Sequence, residues 1–89
     1  MIVHIVFWKV KDNARGLGKE ENIRDMVDVL NALTTEIPEI KQLEVGVDVV
    51  QSGRSFDVSL YSVFEDMEAL ERYQVHPKHQ DVIALFKQI

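Results

Sequence analysis

An α+β domain whose elements run β-α-β-β-α-α is the fold that the sequence predicts, and three observations predict it. Ile2 to Val10 is rich in β-branched and aromatic residues and too short for a typical helix. Between Lys19 and Ile37, apolar residues recur at three- and four-residue spacing. Two alternating runs then follow, Glu39 to Val50 and Phe56 to Phe64, joined by a short Gly-containing connection that marks a hairpin.

Each element has its own justification. In the first strand, Val3, Ile5 and Phe7 share one face, and Ile2, His4, Val6, Trp8 and Val10 share the other, because side chains alternate across a strand. Lys11 to Gly18 is polar and turn-rich and reads as a loop. The first helix carries Ile23, Met26, Val27, Leu30, Leu33 and Ile37 on one stripe, with Glu20 and Glu21 in the first turn, where the helix dipole favours them. Pro38 stops it. In the hairpin, Leu43, Val45, Val47 and Val49 oppose Gln42, Glu44, Gly46 and Asp48; Gln51, Ser52, Gly53, Arg54 and Ser55 form the connection; Phe56, Val58, Leu60 and Phe64 oppose Asp57, Ser59, Tyr61 and Val63. Asp66 is the expected N-cap of a second helix in which Met67, Leu70 and Tyr73 share a face. That helix ends near Val75 to Pro77, and Lys78 to Gln88 reads as a further short one carrying Val82, Ile83, Leu85 and Phe86.

This order matches the ferredoxin-like plan without its closing strand, with helices covering one face of the sheet. The first strand is apolar on both sides, so the open face would expose Val6 and Trp8 beside apolar neighbours. A patch of that size marks an interaction surface, and a second copy packing sheet to sheet is the expected cover.

Composition bounds the function. The 89 residues form one domain, and with a net charge of −5 and no Lys/Arg cluster, nucleic acid is not an expected partner. No cysteine is present, which excludes thiolate catalysis, disulfides and Cys-ligated metal. No apolar run approaches the ~20 residues of a membrane span, and the start from Met1 lacks a charged leader and cleavage site, so a cytoplasmic protein without membrane partners is expected.

A few polar residues could carry chemistry. His4, mid-strand, reads either as a hydrogen-bonded core residue or as a proton-transfer group, if other polar groups converge on it. Tyr73, His76, Pro77, Lys78 and His79 crowd a helix end, where two imidazoles and a phenol either converge or cap the helix. The His76/His79 pair has no third ligand at a recognised spacing, and Gly16, Gly18 and Gly46 form no nucleotide-binding motif, so neither metal nor cofactor is expected. Glu65, Asp66, Glu68 and Glu71 read as a solvated acidic face on which Arg72 pairs with Glu68.

The opening Ile2-Val3-His4-Ile5-Val6-Phe7-Trp8-Lys9-Val10, the Leu43-Glu44-Val45-Gly46 segment, Phe64-Glu65-Asp66 with Ala69-Leu70 and Tyr73, and His76-Pro77-Lys78-His79 resemble the stress-responsive α/β barrel domain (Dabb) family over nearly the whole chain. The resemblance implies a ferredoxin-like protomer that pairs with a partner sheet into a dimeric α/β barrel. It also implies a closing strand beyond Ile89. The family includes a polyketide cyclase whose catalytic tyrosine and histidine fall on Tyr73 and His79, while its other pocket histidines fall on His4, His76 and, as a departure, Val58. The implied ligand pocket is thus His4, Val6, Trp8, Val58 and His76, with Tyr73 and His79 as candidate catalytic residues. The expected function is a homodimer that binds a small apolar or aromatic molecule without chemistry of its own, in a stress-related role. The alternative is a cofactor-independent polyketide-cyclase-like lyase or isomerase using His79 as base and Tyr73 as proton donor. A cofactor-free monooxygenase of similar barrel shape is the third.

Overall fold

The computed structural model describes residues 1–52 and 54–89, so Gly53 of the expected turn lies outside the described residues. Strand β1 (Ile2–Trp8) leads into a small hairpin, β2 (Asn13–Ala14) and β3 (Leu17–Gly18), then helix α1 (Lys19–Glu36), strands β4 (Ile40–Val47) and β5 (Val58–Phe64), and helices α2 (Met67–Val75) and α3 (Pro77–Phe86). The sheet is antiparallel with β5 at its centre, in the order β1-β5-β4, which is the ferredoxin-like arrangement without a fourth strand among the described residues.

The faces of β1 resolve opposite to one expectation. Val3, Ile5 and Phe7 form the open face, each about half exposed at 51%, 52% and 55%. Ile2, His4, Val6 and Trp8 turn toward the helices and are partly buried. Both faces are apolar, so alternation alone could not orient the strand; His4 and Trp8 go inward because Tyr73 and Phe86 meet them there. Phe56 is also displaced. It stands before β5 rather than within it, and its ring packs 5.6 Å from that of Phe7 on the open side.

The core lies between the sheet and α1 and α2, where Met26, Leu30, Leu33, Ile37, Leu60 and Phe64 are all at most 1% exposed. The stripe read from α1 supplies four of these residues. Helix α1 closes with Ile37 N–H donating to Leu33 O at 2.9 Å, just before Pro38. Helix α2 begins as expected, with Asp66 Oδ1 accepting from Ala69 N–H at 2.8 Å. Met67 stays outside, 53% exposed, while Ala69, Leu70 and Tyr73 face in. Arg72 pairs with Glu39 at 3.1 Å rather than with Glu68, tying α2 to the segment before β4.

Two polar residues anchor what reads as loop in the sequence. Asn22, wholly buried, donates from Nδ2 to Ala14 O at 3.1 Å and accepts from Arg15 at 2.8 and 3.1 Å. It thereby holds the two-residue turn of the β2–β3 hairpin, in which Arg15 and Gly16 have φ of 57° and 73°. Asp57, 4% exposed, accepts from Val10 N–H at 2.8 Å and pairs with Lys19 at 3.0 Å, joining the end of β1, the start of α1 and the start of β5. No helix among the described residues is long and apolar enough to cross a membrane.

Candidate functional site

A cavity of about 350 Å³ opens between the inner face of the sheet and α3. Alternation along β1 brings His4, Val6 and Trp8 to its floor, joined by Leu60 from β5 and Leu30 from α1. On α3, His79, Val82, Ile83 and Phe86 follow the three- and four-residue spacing that puts them on one stripe, and that stripe forms the roof. Trp8 and Phe86 meet edge to face, with centroids 5.1 Å apart, and close one side. Tyr73 reaches the cavity from α2 and Lys87 from the residue that ends α3.

Three polar side chains converge among these apolar walls. The phenol ring of Tyr73 lies 4.3 Å from His79 and 6.4 Å from His4, centroid to centroid, and rests on Phe64 at 4.9 Å. Burial pushes the Tyr73 hydroxyl up to about 12, which keeps it a proton donor throughout the physiological range. His79 Nδ1 lies 3.0 Å from the carbonyl oxygen of Gln74, which also accepts from the side chain of Gln80 at 2.7 Å. His4 Nδ1 is buried and has no hydrogen-bond partner among the described residues. Burial, and then the nearness of His79, hold the His4 imidazole below its ordinary value.

Of the residues named from the sequence, His4, Val6, Trp8, Tyr73 and His79 line this cavity, and two do not. His76 is the N-cap of α3: Pro77 opens the helix, and His76 Nδ1 accepts from Lys78 N–H at 3.1 Å, so the ring is committed to the backbone. Val58 is 1% exposed and belongs to the core; its register partner Trp8 supplies the cavity wall at that level. Sequence reasoning missed Leu30, Leu60, Val82, Ile83, Phe86 and Lys87 as lining residues. The α3 stripe could have revealed three of them, had it been extended back to His79. Gln74 acts through its backbone carbonyl and leaves no sequence signal.

Chemically, the arrangement sets a hydroxyl donor and two imidazoles among mostly apolar walls. Such a site binds a compact apolar molecule and fixes its orientation through a few polar contacts. A base and a donor placed together also suit proton transfer.

Comparison with known proteins agrees with the fold above. Uncharacterized protein SCO4036 of Streptomyces coelicolor is 30% identical over 89 residues, which span 99% of this chain and 89% of the relative. A dimeric protein of unknown function with a ferredoxin-like fold from Bacteroides fragilis is 27% identical, with a TM-score of 0.75 over 96% of this chain and 82% of that one. The hydroxynitrile lyase from Passiflora edulis is similar in fold alone, at 22% identity and a TM-score of 0.76 over 94% of this chain and 78% of that one. A family model for the stress responsive A/B barrel domain matches residues 2–89. The chain belongs to the stress responsive A/B barrel domain (Dabb) family.

Proposed function

We propose that the protein is a homodimer that holds one small, largely apolar molecule in the cavity beneath α3 of each protomer. The observation that carries this reading is the cavity itself: about 350 Å³, walled mostly by aliphatic and aromatic side chains, with His4, Tyr73, His79 and Lys87 as its few polar groups. The dimer is supported by the open face. Val3, Ile5, Phe7 and Phe56 leave roughly half their surface in water on one side of the sheet, and the similar Bacteroides fragilis protein is described as dimeric. A stress-related binding role fits the family's description. Size-exclusion chromatography with light scattering tests the dimer directly. Ile5→Lys is expected to give a folded monomer, because a charge at the centre of the patch would be buried unpaired; an Ile5→Lys protein that stays dimeric contradicts the use of this face.

A second reading, a lyase or isomerase, is favoured by one observation: the carbonyl of Gln74 orients His79 while the ring lies against Tyr73. His79 would act as base and Tyr73 as proton donor to a developing oxyanion. The hydroxynitrile lyase that shares the fold makes cyanohydrin cleavage the fitting first assay. With an activity in hand, Tyr73→Phe and His79→Ala are each expected to lower it at least ~100-fold, and unchanged rates would remove both residues from the chemistry.

A further inference from the structure

The two imidazoles of the cavity sit in opposite surroundings. His79 Nδ1 faces a backbone carbonyl, which only accepts, so Nδ1 carries the proton and the neutral ring keeps its lone pair on Nε2. His4 is the reverse case. Its Nδ1 is sealed from water and meets no partner, and a sealed N–H with nothing to accept it is the costlier and rarer orphan. The proton therefore rests on Nε2, the nitrogen left to meet the contents of the cavity that His4 lines. Tyr73 neighbours both rings, its centroid 6.4 Å from that of His4 and 4.3 Å from that of His79.

We propose that the cavity reads its ligand through this pair of opposite tautomers, His4 donating from Nε2–H and His79 accepting at Nε2, and that the ligand is a compact apolar molecule carrying a carbonyl and a hydroxyl. The proposal rests on the small-molecule reading above and adds the ligand class. The carbonyl oxygen accepts from His4, the hydroxyl donates to His79, and the apolar body lies against Trp8, Leu60 and Phe86. A ligand without polar groups would displace water from both nitrogens and replace none of those hydrogen bonds, which is how a site built to bond a hydroxyl or carbonyl rejects its apolar analogue.

The test has two arms. Proton–nitrogen correlation NMR on protein labelled with heavy nitrogen in histidine reads each ring's tautomer without any ligand. The Nε2–H form is expected at His4 and the Nδ1–H form at His79; the same tautomer at both, or the two exchanged, overturns the proposal. Titration with phenacyl alcohol, acetophenone and ethylbenzene then reads the ligand class. Phenacyl alcohol is expected to bind at least about tenfold more tightly than ethylbenzene, the scale of a well-made hydrogen bond. His4→Gln keeps an N–H donor and is expected to retain a preference for acetophenone over ethylbenzene, whereas His4→Phe loses it. Equal binding of all three probes overturns the proposal and leaves the small-molecule reading standing. Binding of none of them overturns both.

Discussion

The imidazole of His79 packs against the phenol ring of Tyr73 with ring centroids 4.3 Å apart, although the two residues belong to different helices. Pro77 makes this possible. With α2 ending at Val75, α3 opening at Pro77 and His76 alone between them as the cap of both, the chain turns sharply and the first turn of α3 returns over the last turn of α2. Gln74 O then fixes the ring by accepting from it.

Burial at this junction raises the Tyr73 hydroxyl from 10.0 to about 12. The unfolded chain loses that proton near 10.0, so the stability the folded hydroxyl contributes is present below that pH and lost as pH rises toward about 12. Ultraviolet difference titration is expected to show one tyrosine ionising well above the ordinary range, and Tyr73→Phe is expected to abolish that step. A Tyr73 that titrates near 10.0 would contradict its burial.

His4 gives a slope at the opposite end of the scale. Its folded value lies below 6.5, so on acidification the unfolded chain takes up the proton first, and stability falls as pH drops from about 6.5 toward the folded value. Urea unfolding at a series of pH values between neutral and mildly acidic is expected to show this loss in the native protein and a shallower one in His4→Gln. Parallel profiles would mean that His4 is as easily protonated folded as unfolded.

Asp57 contributes at still lower pH. Burial alone would push its carboxyl up, but the Val10 N–H and the Lys19 ammonium outweigh that and hold it below 3.8. Its contribution is therefore present above 3.8 and lost as pH falls through the lower folded value. Asp57→Asn is expected to cost about 2 kcal/mol at neutral pH, the worth of a buried hydrogen bond to a charged group. The deficit relative to the native protein is expected to shrink in strong acid; a deficit that does not change with pH would assign Asp57 a packing role only.

His76 separates capping from ligand binding. Its ring accepts from Lys78 N–H at the start of α3, so His76→Ala is expected to lower stability by about 1 kcal/mol, as loss of an N-cap does. Phenacyl alcohol binding by the folded variant is expected to be unchanged, because the ring is not part of the cavity. Loss of binding without loss of stability would reverse that assignment.

Much of this architecture was legible because it is written in periodicity. The α1 stripe of Met26, Leu30 and Leu33, the Asp66 cap and the order of strands all follow from local spacing. What was not legible depended on partners far along the chain. The two faces of β1 carry equal hydrophobicity, so only Tyr73 and Phe86, more than sixty residues away, decide that His4 and Trp8 turn inward. Residues 13–18 form strands too short to alternate, and their anchor is Asn22, a helix residue whose side chain gives no hint in sequence that it is wholly buried. The site divides the same way. His4, Tyr73 and His79 could be named from chemistry; of the two readings open for His76, convergence or capping, the cap holds, and Val58, placed in the pocket by likeness alone, belongs to the core.

Native mass spectrometry of the freshly purified protein, alongside its denatured intact mass and again after addition of phenacyl alcohol, tests the central claim most directly. A homodimer that carries one small molecule per protomer is the predicted result, with Ile5→Lys giving the monomer. A bare monomer, or a dimer that retains and binds nothing, would contradict the account, because the open face or the cavity would then have no occupant.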